Sequence, residues 1–205
     1  MNLIKIEKEL KKRLPYNYSW GRKQNDEWDK ITNFIYRINE FDLLVQNIKQ
    51  EYEKLIKNSS IDKTEFFNYA ANRWYNFHSA MAMEEIFCTS PKITAAKNSK
   101  DRLVDFSINE ITFDHKTSVF PKGFGYNLDY AMGNKPKLIK WFYDNQSQQQ
   151  RKHLDNRLFI VVHSATGKHW KLKAEIEWLK NIVIDYATNF NQNNLISLEL
   201  KNNGD

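Results

Sequence analysis

Val104-Asp105-Phe106-Ser107-Ile108-Asn109-Glu110-Ile111-Thr112-Phe113-Asp114-His115-Lys116-Thr117-Ser118 alternates apolar and polar residues on both sides of an Asn-Glu pair. Period-two alternation marks a half-buried strand, and a two-residue link that begins with Asn suits a tight hairpin. Folding the stretch about Asn109-Glu110 sets Ile108 against Ile111, Ser107 against Thr112 and Phe106 against Phe113. Asp105 then falls directly opposite Asp114. Val104, Phe106, Ile108, Ile111 and Phe113 share an apolar face, while Asp105, Ser107, Thr112, Asp114 and Lys116 share the polar one.

Directly opposed carboxylates lie about 4.5–5.5 Å apart at Cβ, and like charges there repel. Lys116, two residues along on the same face, supplies one compensating charge. A hard divalent cation such as Mg²⁺ would supply the rest, because it takes oxygen ligands and keeps several waters. A cation so held polarises a phosphoryl oxygen and lowers the pKa of bound water, and a nearby ammonium stabilises developing negative charge. These are parts for phosphodiester hydrolysis. The plainer alternative is an exposed strand face with an Asp114–Lys116 salt bridge.

Outward from the hairpin, Asp62 and Glu65 form a capping-box-like pair ahead of a helix predicted over Lys63–Cys88, which Pro91 stops. Phe66, Phe67, Tyr69, Ala70, Trp74, Phe77, Ala80 and Met81 predict burial on more than one side of it. Upstream, Met1–Arg13 reads as a short helix. Asp26–Lys57 reads as one longer helix, with Trp28, Ile31, Ile35, Ile38, Leu44, Ile48, Tyr52 and Leu55 at three- and four-residue steps. Ile93–Ala95 is a short predicted strand, and Arg102–Ile108 and Ile111–Val119 are the hairpin strands. Lys122–Asn134, with three glycines, reads as a loop. A helix follows from Asn134 and Pro136 to about His153. Leu158–His163 is continuously apolar and predicts a central strand. Trp170–Phe190 predicts an amphipathic helix, and Leu195–Leu200 an edge strand. This order implies a mixed α/β (α+β) class, a central mixed sheet flanked by helices. Residues 1–60 form a helical region expected to pack on a core of residues 61–205.

Composition narrows the function classes. The chain has 205 residues and is 14% aromatic, too rich in rings for wholesale disorder. Its 31 Lys and Arg against 25 Asp and Glu leave a net charge of +6, which tilts towards a polyanionic partner. The one cysteine, Cys88, cannot form an intramolecular disulfide or a Cys-rich zinc site and is expected to be packed. A reducing, cytoplasmic setting fits. Leu158–Val162 is far too short for a spanning helix, and the charged N-terminus lacks an apolar signal core, so no membrane association is expected.

Asp105, the hairpin, and then Asp114-His115-Lys116 resemble the signature of the PD-(D/E)XK nuclease superfamily, which has the restriction-endonuclease-like fold. The resemblance covers residues 62–165, with helix, hairpin, helix and strand in the family's order. It implies that Asp105 and Asp114 bind a catalytic Mg²⁺, with Mn²⁺ as a substitute, and that Lys116 assists the attacking water. The family often adds a glutamate from the helix before the hairpin. Glu84 is preferred for that role here and Glu85 is the alternative. The proline that commonly precedes the first acid is replaced by Val104, and His115 at the middle position faces the apolar side as a packed residue. The implied activity is a DNA endonuclease of restriction or phage-defence type. RNA stays open as substrate, and a homodimer would suit duplex cutting. Inactive nucleic-acid binding on the same fold, or an interaction protein, are the alternatives. Lys122, Gln146 and Arg151 are the candidate nucleic-acid contacts. Around them, basic residues interleave with aromatics at Lys135, Lys137, Lys140 and Trp141, and again at Lys168, Trp170, Lys171 and Lys173.

Overall fold

The computed structural model describes residues 2–19, 26–57, 60–96, 104–145 and 156–199. Its elements are the helices α1 (Leu3–Lys12), α2 (Asp26–Ile31), α3 (Phe41–Leu55), α4 (Lys63–Thr89), α5 (Leu128–Gly133), α6 (Lys135–Asp144) and α7 (Ile176–Thr188), and the strands β1 (Ile93–Ala95), β2 (Phe106–Ile108), β3 (Ile111–Val119) and β4 (Arg157–Val162). The chain divides into two compact units, Met1–Glu85 with Ala174–Lys180, and Ile86–Lys173 with Asn181–Asp205. The division falls inside α4.

In the first unit, α4 begins as its capping pair predicts, with the Glu65 amide donating to Asp62 Oδ1 at 2.7 Å. Phe66, Tyr69, Ala70, Ala71, Trp74 and Tyr75 are all fully buried, so the helix is covered on more than one side. Trp28 meets Phe66 and Tyr69 edge-on, and the Trp74 indole N–H donates to the Ile38 carbonyl at 2.6 Å. Glu9, buried on α1, accepts from the Phe41 amide at 2.7 Å and so satisfies a free N–H at the start of α3. The segment from Ala174 joins this unit through a Lys11–Glu175 ion pair and a bond from the Glu177 amide to Glu7.

The continuous helix expected over 26–57 is instead α2, a 3₁₀ turn over Asn33–Tyr36, and α3. Trp28, Ile35, Ile38, Leu44 and Ile48 are nevertheless buried. Their three- and four-residue spacing survives because turns and short helices preserve it roughly. The Thr32 hydroxyl donates to the Trp28 carbonyl, and Glu40 is extended, so the chain leaves and re-enters helix between them.

The second unit is a four-stranded mixed sheet, in the order β1-β2-β3-β4, flanked by helices. β1, β2 and β3 are antiparallel neighbours, and β4 runs parallel to β3. The hairpin register is Phe106↔Phe113, Ser107↔Thr112 and Ile108↔Ile111, as alternation predicts. Asn109 and Glu110 both have positive φ, 48° and 69°, the type I′ geometry that matches strand twist. Phe87, at the end of α4, stacks on Phe106 at 4.2 Å, and Phe113 meets Phe190 edge-on, so both are buried in this core.

Several expectations are corrected. Within Arg102–Ile108 only Phe106–Ile108 is strand, and residues 102–103 lie outside the described residues. Lys122–Asn134 is not a plain loop. It holds a 3₁₀ turn at Lys122–Phe124 and then α5, whose first turn is capped by Asn127. The next helix is described only to Asp144. β4 begins at Arg157 and is an end strand of the sheet rather than a central one. Its unbroken apolar run is explained by packing such as Phe142 stacked on Phe159 at 5.0 Å. Trp170–Phe190 splits into a 3₁₀ segment, His169–Ala174, and α7. Residues 195–199 form no strand, because alternation supplies a face but not a partner edge. Cys88 is exposed. Among the described residues, no helix is long and apolar enough to cross a membrane.

The turn gives a direct test. Positive φ costs an L residue about 1 kcal/mol, and glycine escapes that cost. Glu110→Gly is therefore expected to raise stability by about 1 kcal/mol in urea unfolding, with an unchanged slope.

Candidate functional site

The site is built from residues of the second unit. Asp114 is the fourth residue of β3, and its side chain is only 7% exposed. Its amide donates to the Asn156 carbonyl at 3.0 Å, and the parallel register pairs it with Arg157. Arg157 Nε lies 2.7 Å from Asp114 Oδ2, and its side chain is 4% exposed. Neither atom has a hydrogen bond of good angle, so the two groups are in ionic contact without full alignment. On the other oxygen, Lys116 Nζ lies 3.5 Å from Asp114 Oδ1. Lys116 is 54% exposed, so the carboxylate is gripped by a buried cation on one side and a wet one on the other.

Asp105 departs from the expected opposition. The paired register ends at Phe106↔Phe113, and the Asp105 amide donates to Phe113 O at 2.9 Å, a bulge-like slip of one residue. The slip turns its carboxylate towards His115. Oδ2 accepts from the His115 amide at 2.8 Å and sits 3.0 Å from His115 Nδ1. The side chain thus replaces the backbone acceptor that β2 no longer offers at that rung. An ionised carboxylate only accepts, so His115 Nδ1 carries the proton. The His115 ring is buried against Phe87 and Phe106, in agreement with a packed residue, but it also orients an acid. Burial pushes the Asp105 carboxyl up, yet the bonds from the His115 ring and amide outweigh it and hold the group below its ordinary 3.8.

The structure thus brings Asp114 and Lys116 together, and links Asp105 to the next residue of the same strand. Glu84 and Glu85 are half-buried in the last turns of α4 and belong to the first unit. Lys122 is exposed in the 3₁₀ turn after β3 and makes no ion pair among the described residues. Gln146 and Arg151, with His153, lie outside the described residues. Arg157 was missed by sequence reasoning. Its one signal is being the single charged residue at the head of the apolar run Leu158–Val162.

Mg²⁺ is held by one or two carboxylates completed by water, and Asp105 and Asp114 offer such oxygens. Among the described residues, no group of three or more His, Cys, Asp or Glu gathers at a common point. The chain matches no family model, no curated protein and no solved structure.

Removing one partner of a buried ion pair leaves an uncompensated charge and costs about 3–5 kcal/mol. Arg157→Met is expected to lose that much in urea unfolding. Adding Asp114→Asn to it should return most of the loss, and no recovery would mean that the pair is not coupled.

Asp105 sets a pH limit. Its folded pKa is depressed, so its contribution is complete above pH about 4 and lost as pH falls through the lower folded value. Asp105→Asn should flatten the stability–pH profile in that acid range and leave its shape near neutrality unchanged.

Proposed function

We propose that the chain is a Mg²⁺-dependent nuclease that hydrolyses phosphodiester bonds, with DNA as its substrate. The observation that carries the reading is Lys116 Nζ at 3.5 Å from Asp114 on β3, beside the hydrogen-bonded Asp105, within a helix–hairpin–helix–strand order. That order and the Asp105, Asp114, Lys116 set are what resemble PD-(D/E)XK nucleases.

In this reading Asp105 and Asp114 hold the metal, which supplies Lewis-acid polarisation of the phosphoryl oxygen and a more acidic water when bound. Lys116, solvent-accessible at its tip, orients the attacking water and stabilises negative charge as it develops on phosphate. Arg157 fixes Asp114 against β4. His115, through Nδ1–H, fixes the direction of Asp105. Both supporting groups act on the ligands, so they are positioning residues.

A second reading has its own observation. Arg157 already balances the Asp114 charge and His115 already takes up an oxygen of Asp105, as they would in an inactive nucleic-acid-binding module. Cleavage of supercoiled plasmid, linear duplex, single-stranded DNA and structured RNA separates the two. Under the nuclease reading, Mg²⁺ or Mn²⁺ supports cutting, EDTA abolishes it, and Lys116→Ala lowers the rate by about 10²–10⁴-fold. Salt-sensitive binding with no cutting of any substrate would favour the inactive module.

A further inference from the structure

β3 and β4 are parallel, so the segments that follow them leave the same end of the sheet. From that end a chain of rings runs outward. His169 lies 4.7 Å from His163, His163 lies 5.3 Å from Phe120, and Phe120 lies 6.3 Å from Phe124. Phe124 meets Tyr126 at 5.4 Å, and Tyr126 stacks on Tyr130 at 4.1 Å with planes 16° apart. Within this chain Phe120 and Phe124, with Ala131, form a small buried cluster on which Trp141 packs. Gly123 lets the turn approach closely, since a Cβ there would sit 3.1 Å from the Trp141 ring. Gly125 closes the turn at φ 77°. The outer rings are therefore held in place before any ligand arrives.

The outermost ring is Tyr126, 56% exposed although stacked on one face. Lys137 Nζ donates to the Tyr130 hydroxyl at 2.6 Å and lies 5.2 Å from the ring centroid. Lys122 and Lys135 are exposed and make no ion pair among the described residues, whereas Lys140 is paired with Asp144. Between Phe120 and Tyr143 the sequence holds four lysines against one acid, Asp129. His169 adds a neutral donor. Its Nδ1 accepts from the Ser164 amide at 2.8 Å, so the proton sits on Nε2. Burial, with His163 and Lys122 nearby, keeps this ring below its ordinary pKa. A donor Nε2–H suits a phosphate oxygen and not a metal ion.

An exposed ring, backed by a second ring and set among uncompensated lysines, is part of a single-strand groove, where bases stack and phosphates meet cations. A duplex keeps its base faces covered and would leave the rings unused. The core of a protein interface would be poor in lysine.

We propose that this surface binds an unpaired DNA strand, with a base stacked on the open face of Tyr126, which Tyr130 backs, and phosphates taken by Lys122, Lys137 and His169 Nε2–H. The inference rests on the nucleic-acid reading given above, and names single-stranded or locally opened DNA as what that reading acts on.

The test is fluorescence anisotropy of the full chain, in EDTA so that nothing is cut. A labelled single-stranded oligonucleotide is compared with the duplex of the same sequence. The single strand is expected to bind more tightly. Tyr126→Ala should weaken single-strand binding by about five- to a hundredfold, the range for one lost base stack, and leave duplex binding unchanged. Tyr126→Phe should retain it, because the ring face remains. Lys122→Ala should reduce the single-strand salt slope by about 0.7. Equal affinity for both forms with no effect of Tyr126→Ala would overturn the inference. So would an equal loss in the Phe and Ala variants. Single-strand binding without cutting by the wild type would sink the nuclease reading alone. Cutting without a single-strand preference would sink the groove alone.

Discussion

The contact between Asp114 and Arg157 is the constraint on which the sheet's second half depends. Both side chains are almost fully buried, at the first rung where β3 meets β4. A buried charge without its partner is worth several kcal/mol of instability, so the pair admits one register only. Slipping β4 by one residue would put Leu158 beside the carboxylate and turn Arg157 to the other face. That register in turn brings the last residues of β3 and β4 to the same end of the sheet, where Phe120 and His163 meet. The ion pair near the beginning of β3 and the ring chain beyond its end are thus two consequences of one alignment.

The hairpin was legible because alternation and a two-residue turn act locally. From Phe106 to Phe113 every pairing follows from counting outward from Asn109 and Glu110. The reading failed one residue later. Asp105 has a choice between continuing the ladder and using its own carboxylate as an acceptor, and a short acid commonly takes the second option. Nothing in a period-two pattern encodes that choice. Arg157 was out of reach for a different reason. Its partner lies across a parallel connection, so no local spacing relates the two. The tyrosine stack is a similar case, since Tyr126 and Tyr130 are brought face to face by a glycine turn and a capped short helix inside a stretch that looks like loop.

The errors at 26–57 and 195–199 have a common origin. Apolar periodicity reports which residues seek burial, and Trp28, Ile35, Ile38, Leu44 and Ile48 do find it. It does not report whether the backbone between them is continuous, which Thr32 and the extended Glu40 decide. In the tail the same limit acts in reverse. Leu195–Leu200 alternates, but a strand exists only where an edge accepts its hydrogen bonds.

The cost of the Asp114–Arg157 pair bears on why it stands there. Well-packed apolar residues in place of a buried ion pair are often as stable or more so. A wet strand face would need nothing better than Lys116 alone to balance Asp114. The two cations instead divide the carboxylate, with Arg157 fixing one oxygen from within and Lys116 standing off the other at 3.5 Å in contact with solvent. Such a carboxylate is buried and held on one side while its other oxygen faces an exposed ammonium. Stability alone does not call for that combination, whereas the reaction proposed above would use both halves of it: an anchored anion to receive a cation, and an exposed ammonium beside it for the charge that develops.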